Sequence, residues 1–553
     1  MDAFTVEADS AERTAAPPVG WIGAAIFVVL VGALVYVDVR RNGSFTYPLD
    51  DAYIHLRLAE NLSSGTLGLN PGEFASAGSS PLWPVLLAAP TGLLGPLVGL
   101  PLLLNVIFGI ALLVSLDRWA RDHELADRER WLLQLGMLVV VPLPVVAFTG
   151  MEHVLQVLAF LLLVGVVIDQ VVGRVDQRSD PGADDSGIID EPPPSLRADL
   201  FIGLAALFAA SLRFETIFLL VPLAVLLLLA RRWRAVVIAA VGALIPVAVT
   251  ALVNLAQGWP ALPASVMMKS IANDSTTGLV RLLPHLPSRA ILEPRILGVF
   301  IAMTVLWWFA RQAGTPRWRR MSDCWTFVAV AVLALHFGYL TANGGFRYEA
   351  YVMAIAVVAT VVNLHTLVSG SELGTRTTVP ALFRYGAIAC LVLAGVNGLS
   401  MYRAVSLAAT EIHSQQIQMA DFVAEACPGC SIVANDIGAL ALYSGGHILD
   451  DYGLANEWVL RHKLADTWNK ERLFDLGEDN DAAMAVVYDD PYWLPGIPDQ
   501  WERLGTWTIP EATSVGGRTV SFYSLAPERT EELREAFERF EPPDVVDVEV
   551  DAP

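Results

Sequence analysis

Residues 21–39 read WIGAAIFVVLVGALVYVDV, a run of 19 residues in which Asp38 is the one acidic or basic side chain. As an α-helix this run is about 30 Å long, which matches the hydrocarbon layer of a membrane. Residues 1–20 lack the basic segment of a signal peptide, and no small-residue cleavage site follows the run. The stretch therefore predicts a first transmembrane helix.

Apolar runs of this kind recur along the first 400 residues. Hydrophobic residues make up 54% of the 553 residues and charged residues only 17%, whereas about 25% charged is usual for a soluble domain. These features predict a polytopic α-helical membrane protein. We expect about eleven transmembrane helices, at residues 21–39, 97–116, 131–149, 152–172, 199–212, 216–230, 235–257, 295–310, 325–341, 349–367 and 385–401.

The distribution of arginine predicts the orientation of these helices. With the N-terminus in the cytoplasm, the inner loops contain 16 arginines, and outer loops of similar total length contain fewer basic residues. The positive-inside rule therefore places the C-terminal part outside the plasma (inner) membrane. The inner loop 173–198 is rich in Asp, Ser, Gly and Pro and is expected to be a disordered linker. The short apolar segment 81–96 is expected to lie at the outer interface.

The last 152 residues, from Tyr402 onward, differ in composition from the rest of the chain. They contain 28 acidic and 10 basic residues, which accounts for −18 of the net charge of −21 and excludes a nucleic-acid partner. We expect a small α/β domain over residues 404–553, following a membrane domain over residues 1–403. Its predicted elements are helices at 404–426 and 530–540, strands at 431–434, 447–449, 484–488 and 519–523, and a mobile acidic tail.

The sequence Cys427-Pro-Gly-Cys430 has a spacing found in redox sites and zinc sites. A zinc site would need a second pair of ligands, which the sequence does not provide. A structural disulfide is therefore the expectation for an extracytoplasmic domain.

Five predicted outer connections carry ionisable or tyrosine side chains at their membrane ends. Such groups are costly near lipid unless they pair or line a wet cavity, so their convergence predicts a polar site at the outer face. The candidate residues are Asp50, Asp51, Tyr53, His55, Arg57, Glu152, His153, Arg213, Glu215, Lys269, Arg347, Tyr348 and Glu349.

Each of these residues also has a structural interpretation. Asp50 and Asp51 would cap the helix that begins there, a role that does not exclude catalysis. Arg213 and Glu215 would form an ion pair that anchors a short hairpin. Arg347 and Lys269 would extend their charged ends to the interface, and His55 and His153 would be buried structural residues.

An ordered set of motifs resembles the GT-C glycosyltransferases, and most closely the mycobacterial-type terminal arabinofuranosyltransferases. The likeness covers most of the chain. Two motifs depart from the family pattern, Pro263-Ala-Ser265 for Pro-Asn-Thr and Arg213-Phe214 for Arg-Pro, and these bear on the donor sugar. The matching motifs are Asp50-Asp-Ala-Tyr-Ile54, Gly72-Glu-Phe74, Ser79-Ser-Pro-Leu-Trp83, Thr149-Gly-Met-Glu152, Leu212-Arg-Phe-Glu215, Leu262-Pro-Ala-Ser-Val-Met-Met-Lys269, Gly344-Gly-Phe-Arg347, Val433-Ala-Asn-Asp-Ile-Gly438 and Leu449-Asp-Asp-Tyr-Gly-Leu454.

This resemblance implies a GT-C-like membrane enzyme that transfers a sugar, such as arabinofuranose, from a polyprenyl-phosphate donor at the outer face of the bilayer. The acceptor would be a cell-envelope glycan, lipid or protein, and direct displacement would invert the anomeric centre. Asp50 or Asp51 would be the base, with Asp50 slightly favoured by analogy. Lys269, Arg347 and Arg213 would stabilise the leaving phosphate. The family's use of a divalent cation varies, so a cation is left open.

Two other functions fit parts of the sequence. A transporter or flippase of lipid-linked sugars would show paired repeats and polar groups at the bilayer midplane, whereas here the charges lie near one face. A catalytically inactive scaffold that displays the outer domain would leave the charged outer loops unexplained.

Overall fold

A computed structural model describes residues 18–178, 195–272, 294–339, 347–372 and 379–551. These residues form a helical region followed by a C-terminal α/β domain, as the sequence predicted. The helices are α1 Val19–Asn42, α2 Asp50–Ser63, α3 Trp83–Leu94, α4 Leu100–Asp122, α5 Asp127–Leu135, α6 Leu143–Phe148, α7 His153–Arg178, α8 Leu196–Leu212, α9 Thr216–Leu229, α10 Trp233–Ala256, α11 Ala264–Ala272, α12 Pro294–Ala313, α13 Pro316–Tyr339, α14 Ala350–Glu372, α15 Ala381–Ile412, α16 Gln418–Ala426, α17 Gly438–Tyr443, α18 Glu457–Leu464, α19 Lys470–Glu478 and α20 Thr530–Arg539.

Eight helices of the described ranges are long and apolar enough to cross a membrane, namely α1, α4, α7, α10, α12, α13, α14 and the α15–α16 helix. The remaining three predicted spans are also helical but differ in form. The span predicted at 131–149 is divided into α5, a π-helical turn over Gly136–Val140, and α6. Pro142 lies at this break, where it cannot donate a backbone hydrogen bond. The helices α8 and α9 have 17 and 14 residues.

The last membrane helix continues into the C-terminal domain without a loop. Helix α15 passes through a π-helical turn over His413–Ile417 into α16. The predicted separation between a span ending at 401 and a helix beginning at 404 is therefore wrong. Leucine and alanine favour helix on both sides of the boundary, and no proline or glycine interrupts it.

The C-terminal domain contains a mixed six-stranded sheet in the order β2-β1-β3-β5-β4-β6. Strands β1 to β3 are parallel to one another, and β5 runs antiparallel to both β3 and β4. The four strands predicted from the sequence are present, and β4 and β6 are additional. The strands are β1 Ser431–Ala434, β2 His447–Asp450, β3 Ala482–Val487, β4 Glu502–Thr508, β5 Thr519–Ser524 and β6 Asp547–Val550.

Strand β6 lies in the segment predicted to be a mobile tail, and it pairs with β4 from Gly505 to Thr508. The predicted mobile tail was wrong. The segment is acidic and mostly exposed, but it is ordered by backbone pairing with a distant strand and by Val548, which packs against the core of the domain. The disulfide between Cys427 and Cys430 is formed.

The loop 43–99, which carries α2 and α3, packs against the C-terminal domain. The Asn70 side chain donates to the Ile448 carbonyl at 3.0 Å and accepts from the Ile448 N–H at 2.9 Å. It thereby satisfies the free edge of β2, where a neighbouring strand would otherwise bind. A buried cluster that includes Tyr53, Ile412 and Ala439 joins the two regions. These contacts hold α2 against the C-terminal domain.

Candidate active site

Helix α2 begins with two acids, and the first of them contacts the C-terminal domain. The Asp50 carboxylate is only 9% exposed and accepts hydrogen bonds from the backbone N–H groups of Gly438 and Ala439, the latter at 2.8 Å. These are the first residues of α17. A Cβ on Gly438 would lie 2.3 Å from the Asp50 carbonyl oxygen, so this close approach requires glycine.

A second acid of the C-terminal domain, Asp436, lies beside Asp50. The two carboxyl groups are close enough that each affects the pKa of the other. Asp436 also accepts from the Tyr488 hydroxyl at 2.9 Å and from the Gln416 amide at 2.8 Å. Burial and the neighbouring acid raise the pKa of Asp50 well above its usual range, and burial raises the pKa of Asp436.

The second acid of α2 contacts the membrane domain. The Asp51 side chain is 38% exposed and accepts a hydrogen bond from Nη2 of Arg347. Arg347 itself is buried, with its guanidinium 5.0 Å from the centre of the Tyr348 ring. Its Nε and Nη1 atoms have no hydrogen-bond partner within the described part of the chain. Arg347 thus has donors that a further anion would satisfy.

Arg213, in contrast, is fully compensated by carboxylates. It donates to Glu152 at 2.9 Å and to both oxygens of Glu215, at 2.6 Å and 3.0 Å. Its guanidinium also lies 5.4 Å from the centre of the Tyr348 ring, so this ring contacts both arginines. The predicted pair of Arg213 and Glu215 is therefore present, and Glu152 completes it.

The two histidines lie around the same group of residues. His55 Nε2 is 3.3 Å from the Ser79 hydroxyl, and its buried Nδ1 has no hydrogen-bond partner among the described residues. Burial lowers the pKa of His55, which favours the neutral ring. The His153 ring contacts Tyr348 at 5.8 Å between centroids, and its Nδ1 bonds Gln156 at 2.9 Å.

A cavity of about 130 Å³ lies among these residues. Asp51 and His55 line it from α2, Tyr348 lines it from the membrane domain, and Tyr452 and Leu454 line it from the C-terminal domain. The other lining residues are Ile54, Ala77, Ser79, Ser265 and Met268. Asp50 is not among the residues that line this cavity.

Two predicted site residues, Arg57 and Tyr53, lie apart from this cavity, and a third, Lys269, is described only by its backbone. Arg57 bonds Glu60 at 2.6 Å and the Leu69 carbonyl at 3.2 Å within its own loop. The Tyr53 ring packs between Tyr47 and Tyr443, at the contact with the C-terminal domain. Lys269 lies on α11, one residue after Met268, and its side chain lies outside the described atoms.

The sequence motifs contained Tyr452 and Leu454, but their contribution to the cavity was missed. Asp450 ends β2, and its carboxylate accepts from the Tyr452 N–H in the turn that follows. No local pattern indicates that this turn would reach α2, because more than 390 positions separate Tyr452 from Asp51.

Two apolar cavities lie on the membrane side of the structure, and one of them is next to the polar cavity. A cavity of about 170 Å³ lies on the other side of the segment 76–80 and includes Phe74, Phe214 and Val253 in its walls. A cavity of about 320 Å³, lined almost entirely by apolar atoms, lies among helices α7 to α10 and also includes Phe214. The two apolar cavities share Phe214, and the segment 76–80 forms the wall between the smaller of them and the polar cavity.

The described residues contain no group of three or more His, Cys, Asp or Glu side chains arranged to hold a metal ion. The sequence leaves a divalent cation open.

Comparisons with known proteins support the architecture. A family model described as a domain of unknown function, DUF8728, matches residues 409–523, which is most of the C-terminal domain. No curated protein matches the sequence. The structure of ArnT from Cupriavidus metallidurans bound to undecaprenyl phosphate is similar with a TM-score of 0.50 at 13% identity, over 92% of this chain and 98% of that one.

Two further structures are similar at lower scores. Archaeal oligosaccharyltransferase AglB from Archaeoglobus fulgidus, in complex with an inhibitory peptide and a dolichol-phosphate, has a TM-score of 0.47 at 11% identity, over 92% of this chain and 75% of that one. ArnT in the apo state has a TM-score of 0.45 at 13% identity, over 92% and 98%. The likeness to ArnT over nearly the full length of both chains shows that this chain has a GT-C-like membrane fold with a small C-terminal α/β domain.

Proposed function

We propose that this protein is a membrane glycosyltransferase that transfers a sugar from a polyprenyl-phosphate donor to a hydroxyl of a cell-envelope glycan, lipid or protein. The observation that carries the proposal is the polar cavity where Asp51 bonds Arg347 beside Tyr348, with an apolar cavity on the other side of the segment 76–80. The likeness to ArnT, whose structure contains undecaprenyl phosphate, supports a lipid-phosphate donor. Arabinofuranose is the first donor sugar to test, because the family that the motifs resemble uses it, and the departures at Pro263-Ala-Ser265 and Arg213-Phe214 bear on this choice.

Asp51 is the general base in this proposal. The acceptor hydroxyl attacks the anomeric carbon, its proton passes to Asp51, and the bond from the anomeric carbon to the phosphate oxygen breaks. Polyprenyl phosphate leaves with the bonding electrons, and the anomeric centre inverts. Asp51 suits this role because it lines the cavity and is partly exposed. Asp50, which the motif analogy slightly favours, has its carboxylate directed to Gly438 and Ala439.

Arg347 stabilises the charge that develops on the leaving phosphate. Its Nε and Nη1 atoms are buried donors without hydrogen-bond partners among the described residues, and a phosphate can accept from both. Binding of a phosphate also gives Arg347 a second anion beside Asp51. Arg213, whose donors bond Glu152 and Glu215, holds Tyr348 and the helix ends in place. Lys269 is a further phosphate ligand in this proposal.

The apolar cavities beside the polar site accommodate the start of the polyprenyl chain. Their shared residue Phe214 precedes α9, and the larger cavity is bounded by helices α7 to α10. A lipid held there would carry its phosphate toward Arg347.

The charged residues lie at one end of the membrane helices, which favours the enzyme over a transporter. Glu152 directly precedes α7, Arg213 and Glu215 lie between α8 and α9, and Arg347 precedes α14. A transporter site would lie near the middle of the helices. With the orientation predicted from the arginines, this end of the helices is the extracytoplasmic face of the plasma membrane.

The test is a transfer assay with the purified full-length protein in detergent. The donors are synthetic polyprenyl-phosphate sugars, with arabinofuranose first, and the acceptors are cell-envelope extracts. Release of polyprenyl phosphate together with a glycosylated product, detected by mass spectrometry, is the expected result. Wild-type protein that binds none of the lipid donors, or that moves them across vesicles without releasing phosphate, contradicts the proposal.

A further inference from the structure

The turn between β2 and α18 reaches from the C-terminal domain into the polar cavity. Tyr452 and Leu454 of this turn line the cavity opposite α2. The Asp50–Gly438 contact and the Asn70–Ile448 bonds attach the same domain to the loop that carries Asp51. The turn therefore has a fixed position relative to Asp51.

The turn is held rigidly by local contacts. The Asp450 carboxylate accepts hydrogen bonds from the N–H groups of Tyr452, at 2.8 Å, and Ala455. Gly453 has a φ of +92°, and a Cβ there would lie 3.1 Å from the Leu460 nitrogen. Both the backbone conformation and the close approach require glycine at this position.

The Tyr452 ring is oriented by two neighbours. The Lys463 ammonium lies 4.8 Å from the ring centre, and the Trp493 ring lies 5.3 Å away between centroids. Both neighbours belong to the C-terminal domain, on helix α18 and in the segment after β3. The ring is therefore a pre-organised surface of the cavity and not a mobile surface side chain.

The chemistry of the cavity walls suits a sugar ring. Tyr452 and Tyr348 offer aromatic surfaces to the apolar C–H face of a sugar, and Leu454 extends this surface. Ser79, Ser265 and the unpartnered His55 Nδ1 offer hydrogen bonds to its hydroxyls. A volume of about 130 Å³ equals that of about four water molecules in the liquid, which is the size of one monosaccharide ring.

We infer that this cavity binds the sugar of the lipid donor, and that Tyr452 is the specificity-determining residue which the C-terminal domain contributes. The inference rests on the proposed function. The donor sugar is favoured over the acceptor because Tyr348 lines the cavity and contacts Arg347, whose donors without partners among the described residues suit the phosphate to which the donor sugar is attached. The ligand is one neutral five- or six-membered sugar ring.

The experiment compares donor lipids with and without a sugar, using the full-length protein in detergent. The probes are farnesyl phosphate, farnesyl-phosphoryl-arabinofuranose and farnesyl-phosphoryl-mannose, and the measurement is Kd by calorimetry. Wild-type protein should bind one of the sugar-bearing lipids more tightly than farnesyl phosphate. In Tyr452→Ala this gain should fall by about fivefold while the affinity for farnesyl phosphate is unchanged.

Tyr492→Ala is the matched control, because Tyr492 is an exposed tyrosine near Trp493 that does not line the cavity. Tyr492→Ala should keep the full gain in affinity that the sugar provides. Tyr452→Phe should also keep most of it, since the aromatic surface remains. Thermal melting monitors folding, and Tyr452→Leu, which preserves more of the volume, replaces the alanine variant if that variant does not fold.

The outcomes separate this inference from the proposed function. Wild-type protein that binds farnesyl phosphate but gains nothing from either sugar overturns the sugar subsite and leaves the lipid-phosphate site standing. A gain that persists in Tyr452→Ala and Tyr452→Leu overturns the role of Tyr452. Wild-type protein that binds none of the three lipids contradicts the proposed function, and the subsite with it.

Discussion

Asp50 and Asp51 are adjacent in the sequence, yet helix α2 presents them to two different regions of the molecule. Asp50 bonds the backbone of α17 in the C-terminal domain, and Asp51 bonds Arg347 of the membrane domain. Successive residues of an α-helix point about 100° apart, so neighbouring side chains face different partners. A pair of identical residues in one motif can therefore combine two functions, one attaching a domain and one lining a cavity.

The largest expected effect is a loss of sugar-transfer rate when Asp51, but not Asp50, is replaced. Asp51→Asn should lower the rate of sugar transfer by about a hundredfold to ten-thousandfold, the usual contribution of a general base, with donor affinity retained. Asp50→Asn keeps an oxygen that can accept from Gly438 and Ala439, so it should retain most of the transfer rate. Single-turnover measurements with labelled donor provide the rates. Full activity in both single variants and in the double variant contradicts a base at either position.

The two arginines offer the next comparison. Arg213→Met leaves Glu152 buried without its partner, and such a loss costs about 3–5 kcal/mol of stability. Arg347→Met removes one bond to the partly exposed Asp51 and should cost clearly less stability while weakening donor binding more. Thermal melting and donor titration, measured on both variants in the same detergent, give the two quantities. The opposite order would place the phosphate at Arg213.

Lys269 is the third basic residue proposed to bind the donor phosphate. It follows Met268, which lines the cavity, on a short helix. Lys269→Met should weaken binding of a polyprenyl-phosphate donor by about tenfold at low salt, where charge effects are least screened, without lowering thermal stability. Ser270→Ala on the same helix is the control. Unchanged donor affinity in the lysine variant removes Lys269 from the site.

The smallest expected effect concerns the pH dependence of the contact between Asp50 and Asp436. The pKa of each is raised above the usual value of 3.8, so the docked state holds a proton that the undocked chain releases. The stability from this contact is complete at lower pH and declines as the pH rises above 3.8 and through the raised values. Asp436→Asn should flatten this decline because its amide donates to Asp50 without a proton.

The measurement for this pair is the melting temperature between pH 4 and pH 8, a shift of a few degrees being expected for about 1 kcal/mol. Asp489→Asn, a change at an exposed acid that bonds Tyr523, is the control and should leave the slope unaltered. A wild-type slope that persists in Asp436→Asn shows that other groups cause the pH dependence.

The sequence by itself determined the membrane helices, the four predicted strands and the set of polar residues at one end of the helices. These features follow from local composition, because apolar length and period-two patterning are properties of neighbouring residues. The short apolar runs at α8 and α9 were found for the same reason. The sequence did not reveal that α15 continues into α16. We placed the end of the last span where the hydrophobicity declines, and the helix does not end there.

Only the tertiary structure decided which residues meet. The partners of Asp50, the bond from Arg213 to Glu152 and the position of Tyr452 all join residues that are between 61 and about 400 positions apart. Strand β6 likewise depends on pairing with β4 and not on its own acidic sequence. The physical reason is that a hydrogen bond or an ion pair depends on distance in space, whereas a single sequence records only the order of residues along the chain.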